Sequence, residues 1–157
     1  MKNWQKLLIS ILIPQVVAGV AGFFTVTGNG SWYQSIEKPS WNPPGWVFGP
    51  VWTALYIMMG IAFFLIWKSK ADEKMKRKAM ILWGIQLIFN FFWSIIFFGN
   101  EQIFGAFLEI IGLWLFILLT IFAFARIDKR AAWLLVPYIS WVSFAAYLNF
   151  TIWELNR

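Results

Sequence analysis

The chain has 157 residues, of which 61% are hydrophobic and only 13% charged, and it contains no cysteine or histidine. A soluble domain needs far more polar surface, so we interpret residues 1–157 as one integral membrane domain. Without thiols and imidazoles the sequence excludes disulfides, thiolate nucleophiles, the usual zinc sites and the common axial ligands of haem. We therefore expect neither a metal nor a cofactor.

Five apolar segments are long enough to cross a hydrocarbon core, which takes ~20 helical residues. They cover about residues 7–26, 47–67, 79–98, 103–125 and 132–153. Lipid offers the backbone no hydrogen-bond partner and no segment alternates like a strand, so each is predicted to be a helix. The predicted fold is an all-α integral membrane protein, a five-helix bundle with a long structured first loop.

The first segment follows Lys2 and Lys6 and has no clear small-residue cleavage site after it. We therefore expect a retained first helix rather than a removed signal peptide. Pro14 is expected to bend this helix. The small residues Ala18 and Gly22 in this span, and Gly60 in the second span, are expected to allow close contact between helices.

The basic residues predict the orientation of the chain. With five spans, eleven of the thirteen fall on the side of the N-terminus: Lys2, Lys6, Lys68, Lys70, Lys74, Lys76, Arg77, Lys78, Arg126, Lys129 and Arg130. Only Lys38 and Arg157 fall on the other side. By the positive-inside rule the N-terminus is cytoplasmic and the C-terminus outside a bacterial cell membrane. The basic run 68–78 is read as a stop-transfer anchor in preference to a surface for acidic lipid or nucleic acid, so no nucleic-acid partner is expected.

The loop at 27–46 lies on the outer side and is long for a helical bundle, which is typical of functional lids. Residues 32–36 are expected to form a short helix along the interface. The loop runs into W-N-P-P-G-W-V-F-G-P-V-W-T-A-L-Y at residues 41–56, whose prolines and glycines prevent one regular helix from its start. We predict that the helix starts near 47–50, with Trp41, Trp46 and Trp52 close to one entrance.

Polar residues of the third span lie on one helix face. Gln86, Asn90 and Ser94 are spaced by four residues, with Trp93 on the same side. This stripe is interpreted either as hydrogen bonding between helices or as a surface facing a ligand. After it, residues 99–102 predict a tight turn and antiparallel neighbours.

Trp141 lies near the middle of the fifth span, above a kink expected at Pro137. Interfacial anchoring does not explain an indole at that depth, and its N–H needs a partner. Together with Trp52, Asn90 and the aromatic loop it suits a flat, largely apolar ligand with a few polar groups. The alternative is that the tryptophans only fill a five-helix core.

Glu109 is the only acid inside a span. Intramembrane carboxyl groups are candidates for function. Here we favour a structural role, in which Glu109 reaches headgroup water or pairs with Lys38 of the outer loop.

Three blocks of sequence resemble one known family. They are residues 41–56, Q-L-I-F-N-F-F-W-S at 86–94, and the block from Pro137 to Asn149. The chain is similar to the translocator protein/tryptophan-rich sensory protein family, also called the peripheral-type benzodiazepine receptors, over essentially its whole length.

The resemblance implies a homodimeric five-helix bundle whose pocket opens toward the first loop. Members bind porphyrins such as protoporphyrin IX and haem, cholesterol-like sterols, and isoquinoline carboxamide or benzodiazepine drugs. Carried onto this chain, it implies a pocket lined by Tyr33, Pro43, Pro44, Trp52, Asn90, Trp141 and Ala145. The expected function is a receptor or sensor in tetrapyrrole and stress regulation.

Two alternatives accompany this expectation. The first is light-dependent porphyrin degradation, with Trp52 and Trp141 as the reacting residues and no conventional catalytic group. The second is transport of porphyrin or lipid, against which the missing inverted repeat argues. Vertebrate members carry a sterol-recognition pattern in which a tyrosine is followed within a few residues by lysine or arginine. Here the first basic residue after Tyr147 is Arg157, which is too far away for that pattern. Porphyrin is therefore the better candidate ligand.

Overall fold

The computed structural model describes all 157 residues, Met1–Arg157. Seven α-helices and one π-helical turn follow each other without any strand. The helices are α1 (Asn3–Gly22), α2 (Trp32–Ser35), α3 (Gly45–Lys68), α4 (Glu73–Ser94), α5 (Ile103–Ala125), α6 (Lys129–Leu134) and α7 (Val136–Asn156). The π-helical turn, Ile95–Gly99, continues α4.

Five helical segments are long and apolar enough to cross a membrane, as predicted. They are Asn3–Gly22, Gly45–Lys68, Glu73–Gly99, Ile103–Ala125 and Lys129–Asn156. The first begins before residue 7, because Gln5 Oε1 accepts the Lys2 backbone N–H at 2.8 Å and caps the helix there. It also ends before residue 26, at Gly22.

The start of α3 differs from the prediction of 47–50. The helix begins at Gly45 with Pro44 as its N-cap residue, so Pro50 lies inside the helix. Pro50 is the sixth residue of α3, past the unpaired N–H groups of the first turn, so the Trp46 carbonyl oxygen lacks the usual N–H donor four residues later. The fifth span breaks at Leu135, between α6 and α7, with Pro137 in the first turn of α7.

Gly60 lies at a close contact between α1 and α3. A Cβ atom on Gly60 would lie 2.6 Å from the Ser10 carbonyl oxygen and 2.7 Å from Ile11 Cα. The backbones of α1 and α3 therefore approach closely where a side chain cannot be accommodated, which confirms the predicted role of Gly60.

Pro14 is buried in α1, and that helix is continuous through it.

The core has two parts. The larger lies in the half of the bundle that holds the N-terminus and around its middle, with Met59, Ile66, Ile117 and Tyr138 fully buried. The smaller lies beneath the first loop, around Phe97 and Ile152. A cavity separates the loop from the larger core.

Candidate functional site

A cavity of about 650 Å³ lies among the ends of α1, α3, α4 and α7 that face the loop between α1 and α3, beneath that loop. Its volume is within the ~300–1,000 Å³ that ligand sites in proteins usually have. No residue of α5 or α6 lines it. The site is therefore built from four spans and the long loop between α1 and α3.

The structure brings all seven sequence-predicted residues to this one cavity. They are Tyr33, Pro43 and Pro44 from the loop, Trp52 from α3, Asn90 from α4, and Trp141 and Ala145 from α7. Binding of a ligand by these residues stays a prediction, but all seven line the same cavity, where one ligand could contact them together.

Trp52 belongs to an aromatic wall formed by α3 and α7. Its ring stacks on Tyr56 with centroids 5.5 Å apart and meets Tyr138 edge-on at 6.3 Å. Tyr56 follows Trp52 by one helical turn, so a sequence search for residues on the face of Trp52 would have found it. Sequence reasoning had not singled it out.

Trp141 packs against Phe48 and Phe144, with ring centroids 6.1 Å and 5.4 Å from its own. Its indole N–H is buried and has no hydrogen-bond acceptor. A buried donor without a partner costs ~1–3 kcal/mol. Trp141 lines the cavity through its ring, whereas its buried N–H is not open to the cavity.

Asn90 is bonded at both ends of its side-chain amide. Tyr56 Oη donates to Asn90 Oδ1 at 2.6 Å, and Asn90 Nδ2 donates to Tyr138 Oη at 2.8 Å. Tyr138 Oη in turn donates to Gln86 Oε1 at 2.8 Å. This buried network joins α3, α4 and α7 and forms the floor of the cavity.

The polar stripe of α4 is divided between the interior of the bundle and the cavity, and contact of its residues with a ligand stays a prediction. Gln86 bonds only within the bundle and does not line the cavity, whereas Asn90 and Ser94 line it. Trp93 lines it as well and donates through Nε1 to Asn149 Oδ1 at 3.1 Å.

The loop is packed as a cap over the site. The one-turn helix α2 is present, and it buries Tyr33 against Phe98, with ring centroids 5.4 Å apart, and against Phe97 at 6.4 Å. Burial raises the pKa of the Tyr33 phenol, and its hydrogen bond with Asn42 offsets part of that rise. Helix α2 therefore docks on the bundle through Tyr33, and its position along the membrane interface stays a prediction.

Other contacts fasten the same loop to α7. Asn156 accepts the Glu37 backbone N–H and donates to the Glu37 carbonyl oxygen, each at 2.9 Å. The Trp41 ring stacks on Tyr147 with centroids 5.3 Å apart. The loop is thus anchored to the C-terminal end of the chain.

The predicted grouping of three tryptophans at the entrance is only partly correct. Trp52 lines the cavity, but Trp41 packs on Tyr147, and Trp46 is 76% exposed and does not line it. Because α3 starts at Gly45, Trp46 falls in the first turn and faces outward.

The predicted pairing of Glu109 with Lys38 is wrong. Both Glu109 carboxyl oxygens are buried without any partner, while Lys38 Nζ donates to the carbonyl oxygens of Tyr33 and Ile36. Glu109 is on α5, which does not reach the cavity, and the lysine is held by its own loop.

The π-helical turn was not predicted. It turns Phe97 inward, where the ring is 2% exposed and stacks on Trp93 at 5.4 Å. Phe97 and Phe98 both line the cavity. Turns of this kind occur often at functional sites.

Comparison with known proteins agrees with this architecture. The model of the TspO/MBR family matches residues 10–154. The tryptophan-rich protein TspO of Chlorobaculum tepidum is 46% identical over 98% of this chain and 99% of its own length. The human translocator protein is 36% identical, over 98% of this chain and 92% of its own, and the tryptophan-rich sensory protein of Cereibacter sphaeroides is 38% identical, over 80% and 77%.

Proposed function

Since the chain belongs to the TspO/MBR family, we propose that it is a membrane receptor for porphyrins and related flat, hydrophobic ligands. Protoporphyrin IX and haem are the preferred ligands, and isoquinoline carboxamide drugs would occupy the same site. The receptor would serve the regulation of tetrapyrrole levels under stress.

One observation carries the proposal: Trp52 and Trp141 both border the cavity of about 650 Å³. Tryptophans that only filled the core would leave no such space between them. A flat aromatic ligand would cover the apolar surface of this wall.

The floor of the cavity favours a receptor over a transporter. Tyr56 and Asn90 line the cavity; Tyr56 Oη donates to Asn90 Oδ1 at 2.6 Å, and Asn90 Nδ2 donates to Tyr138 Oη at 2.8 Å. Opening a path through the bundle would break this network. The names translocator and sensory protein belong to relatives, and transport remains the less favoured alternative here.

The test is an absorbance titration of protoporphyrin IX with purified protein in detergent. We expect saturable binding, weakened at least about tenfold by Trp52→Phe/Trp141→Phe, which corresponds to ~1.4 kcal/mol. The matched control is Trp4→Phe/Trp133→Phe, because these two indoles are 62% and 71% exposed and lie outside the cavity. Equal affinity of the two double variants would refute this site.

A second candidate function is light-dependent degradation of the bound porphyrin. It is favoured by the two indoles that border one cavity with no metal-binding cluster in the chain. Under illumination we expect the porphyrin absorbance to fall faster with wild-type protein than with Trp52→Phe/Trp141→Phe. The same rate for both would leave only ordinary photobleaching.

We further propose that the protein is a homodimer in the cell membrane, with a cytoplasmic N-terminus and an outer C-terminus. Eleven basic residues on one side against two on the other support this orientation. Native mass spectrometry from mild detergent tests the dimer, for which a predominantly monomeric mass would be the contrary result.

A further inference from the structure

Lys38 is the only charged residue among those that line the cavity. Its ammonium group donates to the carbonyl oxygens of Tyr33 at 2.6 Å and Ile36 at 2.8 Å, and it lies 4.7 Å from the centroid of the Tyr33 ring. The three ion pairs of the chain involve other residues: Lys76 with Glu73, Arg130 with Asp128, and Arg157 with Glu154. The positive charge at the cavity is therefore not balanced by any carboxylate of the protein.

The local geometry leaves this lysine able to bind an anion. An ammonium group has three N–H donors, and the two carbonyl oxygens occupy two of them. The same carbonyl oxygens hold the group in place, so a ligand would not have to immobilise a free side chain. Because Lys38 is partly buried, its attraction for a negative charge is screened less than it would be in bulk water.

The rest of the wall offers no second charge. Glu37, the neighbour in sequence, is exposed and does not line the cavity. Deeper in the site the wall consists of aromatic rings and neutral hydrogen-bonding groups. The cavity is thus asymmetric, with a neutral aromatic interior and a single cation on the loop that caps it.

We propose that Lys38 forms a carboxylate subsite beneath the outer loop, which makes the cavity select flat ligands that carry an acid group over their neutral esters. The inference rests on the proposed function, in that the ring system occupies the space between Trp52 and Trp141. The acid group then extends toward the loop and receives the third N–H of Lys38. Acidic tetrapyrroles fit this arrangement, and neutral sterols do not use it.

The test compares protoporphyrin IX, a diacid, with its neutral dimethyl ester in parallel absorbance titrations. We expect wild-type protein to bind the diacid about tenfold more tightly than the ester, a factor that corresponds to ~1.4 kcal/mol. Lys38→Met keeps the apolar stem but removes the charge, and it should bring this ratio close to one. Lys38→Arg keeps the charge and should retain most of the preference. Lys2→Met, at the opposite end of the bundle, is the control for loss of one positive charge.

The ratio of the affinities for the diacid and the ester shows whether Lys38 selects the ligand or only supports the structure of the loop. If Lys38 only held the loop together, Lys38→Met would weaken both ligands by the same factor, and that result would overturn the inference. Equal binding of diacid and ester by the wild type would overturn it as well and would leave the proposed function standing. Binding of neither porphyrin would refute the proposed function itself.

Discussion

Asn90 connects the cavity to the core through one side chain. Its oxygen accepts from Tyr56 and its nitrogen donates to Tyr138, and the residue is only 4% exposed. From the sequence, hydrogen bonding between helices and contact with a ligand were equally plausible for this position. In the structure the hydrogen bonds to Tyr56 and Tyr138 hold the Asn90 amide in a fixed position at the cavity, where a ligand would contact it.

Loss of the Tyr138 hydroxyl tests how much this network contributes. Tyr138→Phe removes one acceptor and one donor, and we expect the free energy of unfolding to fall by ~1–2 kcal/mol in a denaturant titration. Tyr147→Phe is the control, because Tyr147 is 63% exposed and its hydroxyl makes no hydrogen bond. Equal stability of the two variants would mean that the network contributes nothing measurable.

The helix boundaries could be predicted well only where the sequence changes abruptly from polar to apolar residues. Helix α5 covers Ile103–Ala125, the predicted range, because polar residues flank a continuous apolar run. Helix α1 was misplaced because hydropathy does not register the cap formed by Lys2 and Gln5. The π-helical turn could not be predicted, because Ile95–Gly99 fits the pattern of an α-helix equally well.

Close contact between α1 and α3 depends on the absence of a side chain at Gly60. Gly60→Ala places a methyl group within 2.6 Å of the Ser10 carbonyl oxygen, so the helices must separate. We expect a loss of ~1–3 kcal/mol in the free energy of unfolding. Gly19→Ala, with no atom within 4 Å of the added Cβ, should be neutral or slightly stabilising. A stable Gly60→Ala variant would contradict the packing of these two helices.

At the scale of the whole molecule, the five-span bundle could be predicted from composition and hydropathy alone. The seven cavity residues came from the family resemblance, because spacing within each span does not reveal which faces of four helices meet. Lys38 was missed as a cavity residue, since a lysine in an outer loop is first interpreted as a topological signal or as the partner of an acid. Only the folded loop brings it to the site.

The orientation in the membrane can be tested because the chain has no cysteine. Single substitutions Asn29→Cys and Lys70→Cys introduce unique thiols at exposed positions of the first loop and of the connection between α3 and α4. In intact cells a membrane-impermeant maleimide should label Asn29→Cys, whereas Lys70→Cys should react only after permeabilisation. The reverse pattern would contradict a cytoplasmic N-terminus.

Occupation of the cavity by the ligand is the central claim, and filling the cavity tests it most directly. Ala145 lines the cavity, whereas Ala54 of α3 is exposed and does not line it, so Ala54→Phe is the matched control for Ala145→Phe. Both variants retain every tryptophan. In absorbance titrations with protoporphyrin IX we expect Ala145→Phe to lower the affinity at least about tenfold, corresponding to ~1.4 kcal/mol, and Ala54→Phe to leave it unchanged. Wild-type affinity in a folded Ala145→Phe protein would show that the porphyrin binds elsewhere.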